Sequence, residues 1–311
     1  FLQSRAQILL QFNRYDEATA VLSSISNSYL EEYTDGWITY EAKYFANDAT
    51  CVQELHRISN HDKEAIKRLY STVSDASLSN RWNTLAGNLN FAYGMALSKF
   101  YSSEIAELSY NNLLFTKTFQ LEFQKSNRES SLIDTNIEKI FIETPNTEQI
   151  SKILEKTDIA IEFCTVYDRQ SYSEVKKKYA ALILDSGSKQ PKYIELCNSE
   201  DLDNIVYQNT IMESIDYANK YYDLENNEIY KLIWEPMEKY IPQGSNVYIS
   251  NVGATWNINF MALSDGEHRL SEFYHIHNVL STAYISSCKN IDCSISSALL
   301  YGDIDYNVPL K

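Results

Sequence analysis

The placement of proline is the sequence feature that most constrains the fold of this chain. All five prolines lie after residue 144, and the stretch before them has only three glycines. Proline removes an intrahelical hydrogen bond and clashes with the preceding turn, so a long stretch without it favours helix. We therefore predict that residues 1–140 are almost entirely helical and that a different kind of structure follows. The length of 311 residues is typical of about two domains.

Two segments of the helical region have the pattern of helix pairs. In the first, small residues stand at Ala6 and Ala18, where two helices would touch, and Tyr15 lies at the turn between them. The same interval separates Gly94 from Ala106. These pairs resemble degenerate tetratricopeptide repeats, in which stacked pairs bury faces that one pair cannot bury. An ordinary helical bundle is the alternative interpretation.

After Pro145 the sequence changes to short apolar runs separated by turn residues, which is typical of strands. The second and third strands are expected to form a hairpin. Ser199 is predicted to cap a helix whose buried stripe runs from Leu202 through Met212 to Ile215. Pro236 in the next helix fits either a kink or the start of a new turn. The predicted elements are strands 158–168, 179–186 and 192–197, helices from 199 and over 227–240, and strands 246–263, 271–281 and 297–303.

The stretch "NVYISNVGATWNINFMAL" from Asn246 to Leu263 is predicted to be a strand, a turn and a second strand. Gly253 lies at the turn, where glycine reaches a positive φ at little cost. Trp256, Ile258 and Phe260 share one parity, so we expect all three to face the core of the sheet.

The order of these segments resembles the first half of a CHAT domain. The resemblance lies in "YAALIL…PKYIELCNSEDLDNIV", "LIWEPMEKYI", "NVYISNVGATWNINFMAL", "HRLSEFYHIHNVLSTAYI" and "ALLYGDIDY", and with the preceding helical segment it covers roughly residues 82–311. This chain has Asn251-Val252-Gly253 where the family commonly has Pro-Asp-Gly. It also has an Asn and a Met where the family has the Pro and Glu of Ile-Pro-Phe-Glu-Ala-Leu. The turn glycine and the apolar residues are kept.

The resemblance implies an α+β, two-domain fold. Residues 1–140 would be tetratricopeptide-like helical repeats, and 150–311 the N-terminal portion of a caspase-like, separase-related CHAT domain. That family is a class of cysteine peptidases, with a His at the end of one strand and a Cys at the end of the next. No such pair fits here, so we assign no catalytic, cofactor-binding or metal-binding residue, and we expect the dyad beyond residue 311. The chain alone is expected to be inactive.

Two functions remain open at this point. The first is a caspase-like cysteine endopeptidase that binds a protein partner through its repeats and cleaves a peptide or protein substrate. The second is a non-catalytic repeat scaffold whose degenerate caspase-like module serves protein–protein interaction. Sequence following Lys311 would discriminate them, since a fold alone does not establish an activity.

Several groups of polar residues could be read as catalytic or metal-binding sites, but simpler interpretations are favoured. His275 and His277 would share a face of a strand, yet Cys288 follows too soon for a helical crossover, so we expect histidines at the exposed rim. Zinc binding with Cys288 and Cys293 lacks a familiar ligand spacing. Asp303 and Asp305 are interpreted as a polar strand exit. The acidic span 198–240 is expected to be a solvated helical face, and the lysines at 176–178 the solvated approach to a strand.

Charge and cysteine usage exclude further classes. The net charge is −15, so nucleic acid is not an expected partner. No apolar run approaches the ~20 residues of a membrane helix. An odd count of five cysteines without C-x-x-C spacing favours reduced thiols and a cytoplasmic location.

Overall fold

The helical region is confirmed for the residues that the structure describes. The structure is a computed structural model, and it describes residues 2–25, 36–70, 75–130, 144–207 and 214–286. Before residue 131, every regular element in these ranges is an α-helix. The helices are α1 (Leu2–Gln11), α2 (Tyr15–Ser23), α3 (Gly36–Phe45), α4 (Cys51–Tyr70), α5 (Asp75–Phe100) and α6 (Ser103–Ser130).

The region after residue 144 alternates strands with short helices. It begins with α7 (Thr147–Ile153), whose Asn146 cap and Gln149 form a reciprocal capping box. The strands are β1 (Asp158–Asp168), β2 (Lys176–Asp185), β3 (Lys192–Asn198), β4 (Asn246–Ser250) and β5 (His275–Val279). The helices among them are α8 (Ser199–Val206), α9 (Ser214–Tyr221), α10 (Glu228–Ile233), α11 (Glu235–Glu238) and α12 (Leu270–Phe273).

These strands form one mixed sheet with the order β3-β2-β1-β4-β5. The predicted hairpin is confirmed, because β2 pairs antiparallel with both β3 and β1. On the other side of β1 the pairing is parallel, with β4 beside β1 and β5 beside β4. A mixed sheet accompanied by many helices fits the predicted α+β class. None of the helices in the described ranges combines the length and the apolar character needed to cross a bilayer.

Both faces of the sheet are covered by helices. Along β1, Ala160 and Cys164 point to a hydrophobic cluster that also contains buried residues of α1 to α6. Ile161 and Phe163 alternate with them and join a second cluster formed with α8 to α12. Because side chains alternate along a strand, a central strand with apolar residues on both parities is buried on both faces. The helices before residue 131 therefore form a layer that covers one face of the sheet and shares a hydrophobic core with it.

An arginine at the end of β1 ties this helical layer to the sheet. The side chain of Arg169 is 9% exposed and its guanidinium forms an ion pair of 2.8 Å with Glu41 of α3. The guanidinium carbon lies 4.9 Å from the ring centre of Phe45 and 4.7 Å from that of Tyr172. A planar cation between aromatic faces, with a carboxylate at its edge, is a favourable arrangement for a partly buried arginine.

Glycine at position 94 allows α5 to approach β1 closely. A Cβ atom at Gly94 would lie 2.5 Å from the carbonyl oxygen of Thr165 and 3.0 Å from the ring of Tyr167. Gly94, predicted to lie at a helix–helix contact, therefore lies at a helix–strand contact. In the first pair, Ala6 and Ala18 are both fully buried, as a close contact between α1 and α2 requires. The comparison with tetratricopeptide repeats stays a prediction.

The predicted second strand after Gly253 is wrong. Residues Gly253–Asn257 and Phe260–Ala262 are short 3-10 helices, and Trp256 is 49% exposed. Gly253 has a φ of +54°, as predicted, and directly after it the Thr255 hydroxyl bonds to the backbone of Val252. This closes a turn, so the parity of a strand no longer applies. Phe260 is nevertheless buried and stacks on Phe163 at 5.5 Å.

Further boundaries also differ from the prediction. The cap position of α8 is Asn198, which makes no capping hydrogen bond with its side chain, and Ser199 is the first helical residue. The strand β3 runs directly into this helix, so the boundary lies one residue earlier. The predicted stripe does not belong to one helix, because α8 already ends at Val206. The side chains of Met212 and Ile215 lie outside the described part of the chain.

The remaining differences concern the predicted helix over 227–240 and the last predicted strands. The helix is two short helices, with Pro236 in the first turn of the second one, where proline is tolerated. Of the predicted strand 271–281, the first residues belong to α12 and only His275–Val279 are strand. The predicted strand 297–303 lies outside the described residues.

The two glycines of α5 offer a matched test of the contact with β1. Gly94→Ala should lower the free energy of unfolding by about 1–3 kcal/mol, because the new methyl group meets the β1 backbone. Gly87→Ala, which meets nothing within 4 Å, should raise it by about 0.5–1 kcal/mol through helix propensity. Urea unfolding of both variants measures the difference. Equal effects of the two substitutions would mean that α5 does not pack on β1 as described.

Candidate functional site

The parallel strands of the sheet end at one edge, which is where open α/β sheets usually bind ligands. The pairing of β1 with β4 ends at Glu162 and Ser250, and that of β4 with β5 ends at Ser250 and Val279. Glu162 is fully buried in the middle of β1. A buried carboxylate at this position needs partners, since burying an isolated charge is strongly unfavourable.

The two oxygens of the Glu162 carboxylate have different partners. Oε2 accepts a hydrogen bond of 2.6 Å from the ammonium of Lys117, on α6. Oε1 accepts from the Thr282 backbone N–H at 2.7 Å, from the Thr282 hydroxyl at 2.8 Å and from the Ser281 hydroxyl at 3.2 Å. One carboxylate thus joins the helical layer to the 3-10 turn Thr282–Tyr284 that follows β5.

The partners of Glu162 are themselves connected. Lys117 donates a second hydrogen bond of 2.7 Å to the hydroxyl of Ser250, which in turn donates to the carbonyl oxygen of Leu280 at 2.9 Å. The Tyr110 hydroxyl, also on α6, lies 2.7 Å from that of Thr282. These connected side chains form the Glu162 network, which consists of Tyr110, Lys117, Glu162, Ser250, Ser281 and Thr282. Such closed polar networks are rigid and specify one arrangement of the core.

Lys117 and Ser250 have the geometry of a serine–lysine nucleophile pair, but their surroundings argue against that chemistry. A lysine base must accept the serine proton, whereas the Lys117 amine donates to the Glu162 carboxylate. Ser250 is fully buried and its proton is directed to the carbonyl of Leu280. Burial, with the Glu162 charge as a further cause, raises the pKa of the Tyr110 phenol well above its ordinary value. The network is therefore a neutralised, hydrogen-bonded core feature.

The three described cysteines are poor nucleophiles. Burial raises the pKa of Cys51, Cys164 and Cys197 from 9.0 to about 12 in each case. These thiols are therefore almost entirely protonated at neutral pH, whereas the thiolate is the nucleophilic form. Cys288 and Cys293 lie outside the described residues.

The histidines of β5 lie at exposed positions of the described sheet, as we expected for rim residues. His275 and His277 share the face that is turned to the helical layer, and the His277 ring stacks on Tyr248 at 5.0 Å. Within the described ranges, no group of three or more His, Cys, Asp or Glu side chains is arranged to hold a metal ion. Asp303 and Asp305 lie outside those ranges. The lysine run was predicted to precede a strand that starts at 179, but it forms the first three residues of β2, with Lys176 exposed and the other two lysines partly buried.

Sequence reasoning missed the Glu162 network. The available signal was a single carboxylate in the otherwise apolar run "IAIEFC", and a single lysine in the apolar stretch "LLFTKTF" of α6. Each marks a charge that must be buried or partnered. Neither shows that the two belong together, because they come from elements that are 45 residues apart in the chain.

Searches of this chain against protein-family models and against curated protein sequences returned no match. The resemblance to the CHAT family therefore stays a prediction that rests on the ordered series of segments.

Two ion pairs of equal length allow a test of burial. Lys117→Met should lower the free energy of unfolding by about 3–5 kcal/mol, because it leaves the Glu162 charge buried without its partner. Lys152→Met removes an equally short pair with Glu148, but both side chains are about two-thirds exposed, so the loss should be about 0–0.5 kcal/mol.

The double variant Lys117→Met with Glu162→Gln is the control for this interpretation. Glutamine keeps an acceptor for the Thr282 N–H and removes the charge, so the double variant should be more stable than Lys117→Met alone. Chemical unfolding of the four proteins measures these differences. A double variant that is less stable than the single one would contradict a buried charge pair.

The raised thiol and phenol pKa values predict a loss of stability in alkali. In the unfolded chain, thiols ionise near pH 9 and phenols near pH 10, whereas burial raises the pKa of Cys164 and Tyr93 to about 12 in the folded chain. The folded state thus holds more protons above pH 9, and its stability must fall as the pH rises from 9 towards 12. Urea unfolding between pH 8 and 10.5 measures this. Cys164→Ala should make the decline shallower, and a flat profile would contradict the burial of these groups.

Proposed function

We propose that this chain is the front part of a CHAT-type, caspase-like cysteine endopeptidase whose helical region binds a protein partner and controls the sheet. The observation that carries the proposal is the position of α6. This helix belongs to the region that would dock the partner, and its Lys117 ammonium reaches the buried carboxylate of Glu162, which lies beside the last residue of β4. One helix thereby connects the region proposed to bind the partner with the edge of the sheet.

The chemistry would take place at that edge with residues that follow position 311. In this class of enzyme a Cys thiolate attacks the peptide carbonyl, a His activates the thiol and protonates the leaving amine, and backbone N–H groups hold the oxyanion. The described residues would supply the part of the sheet that supports the catalytic strands, because β1, β4 and β5 run parallel and direct their carboxyl ends to the same edge. On this proposal the described part holds and positions the catalytic strands.

A non-catalytic scaffold is the second candidate, and two observations favour it. The groups at the strand ends are neutralised by the Glu162 network, and burial raises the pKa of all three described thiols to about 12. If the sequence after residue 311 also lacks a His/Cys dyad, the whole protein would act by binding alone.

A thiol-directed probe distinguishes the two candidates. We expect the 311-residue chain not to react selectively with a peptidyl acyloxymethyl ketone at pH 7.5. The protein that also includes the sequence after residue 311 should be labelled at a single Cys of that sequence, and replacing the His of the dyad should abolish labelling. Mass spectrometry of the labelled peptides provides the measurement.

Two outcomes would contradict the proposal. Absence of selective labelling in the longer protein would favour the scaffold. Labelling of one Cys in the 311-residue chain that is lost on His275→Ala or His277→Ala would place a dyad inside the chain. Both histidines are exposed, so the two variants should fold normally.

A further inference from the structure

Helix α6 contacts the segment after β5 at two points along its length and reaches it through Glu162 at a third. Tyr110 meets the hydroxyl of Thr282, and Glu122 accepts a hydrogen bond of 2.7 Å from the Tyr284 hydroxyl. Between these two points, Lys117 binds the Glu162 carboxylate that holds the Thr282 backbone. From the first of these α6 residues to the last, the helix rises about 18 Å at ~1.5 Å per residue. The turn therefore takes its position from a long, rigid element.

The bond through Glu162 makes this attachment cooperative. One oxygen of the carboxylate binds the helix and the other binds the turn. If α6 moves away, the carboxylate loses its counter-ion while it remains buried, which is strongly unfavourable. An intermediate position in which only half of the bonds are kept is therefore disfavoured, and helix and turn should move together.

Another face of α6 packs on the neighbouring helices in a separate cluster. Phe115 and Phe119 of α6 surround Trp82 of α5, with ring centres 5.5 Å and 4.5 Å from it, and Ile66 of α4 completes the group. Beside this cluster, α4 and α5 form a groove of about 410 Å³ that Ile66 lines. Packing between α4, α5 and α6 thus determines where α6 lies.

We infer that α6 is a conformational relay, which couples the packing of α4 and α5 to the turn Thr282–Tyr284 through the Lys117–Glu162 pair. A change around Trp82 would shift α6, and the shift would release or tighten the turn after β5. This inference deepens the proposed function, since it names how the helical region would control the sheet. Its test reads the backbone of the chain itself and needs no peptidase activity.

Hydrogen exchange of the intact 311-residue chain, followed by mass spectrometry, tests the relay. The N–H of Thr282 is a direct reporter, because it donates to Glu162. Trp82→Ala empties the cluster between α5 and α6 without touching the turn. We expect the amides of 281–286 to exchange about tenfold faster in this variant, with β2 and β3 unchanged.

Two controls make the result specific. Trp37→Ala is the same substitution in α3, where the ring packs edge-on against Tyr40, and it should leave the turn unchanged. The double variant Lys117→Met with Glu162→Gln removes the bond to α6 and keeps an acceptor for the Thr282 N–H, so adding Trp82→Ala to it should have little effect on exchange of the turn. Phe119→Leu, a milder change in the same cluster, replaces Trp82→Ala if that variant does not fold.

Three results would overturn the inference. The turn could keep its exchange rate in Trp82→Ala, or β2 and β3 could accelerate with it, which would indicate general destabilisation. The effect of Trp82→Ala could also persist undiminished once Lys117 and Glu162 are replaced. If the thiol probe does not label the longer protein, the peptidase proposal fails, but the exchange rates of the 311-residue chain are unaffected. The failure of the proposed function and the failure of the relay are therefore distinguishable.

Discussion

The carboxylate of Glu162 is the constraint on which the arrangement of layers depends. It is fully buried in the central strand of the sheet, and no apolar neighbour could neutralise it. Lys117 must therefore reach it from α6, and the turn after β5 must present its N–H and hydroxyl groups to the other oxygen. Satisfying one buried charge thus fixes the helix, the strand ends and the turn relative to one another.

Hydrophobic packing joins the same helices to this face of the sheet. A single cluster of buried residues runs from α1 to the sheet residues Ala160 and Leu182. Gly94 lets α5 lie directly against β1, and Arg169 joins the end of β1 to α3. The helices before residue 131 bury one face of the sheet, as the helices after β3 bury the other. A partner that binds the helical region would therefore act on the sheet's own core.

Local chemistry made much of this fold predictable. The absence of proline before residue 145 indicated the helical region, and the β1 run matched its strand boundaries. The stretch after Gly253 was predicted wrongly because a side-chain bond of Thr255 closes a turn that apolar parity does not reveal. The Glu162 network was not predictable either, since sequence shows that a buried charge needs a partner but not which distant lysine provides it. The resemblance to the CHAT family, with the repeats, the caspase-like fold and the function that it implies, remains a prediction.

The helical layer and the sheet form one core, and the four tryptophans allow this to be tested directly. Trp37 and Trp82 lie in the helical layer, whereas Trp234 and Trp256 lie in the part of the chain that follows β3. Fluorine NMR of 5-fluorotryptophan-labelled chain through a urea titration reports on each ring separately. We expect all four resonances to change with one common midpoint, as a single cooperative unit requires. Separate midpoints for the helical pair and the sheet pair would contradict the shared core.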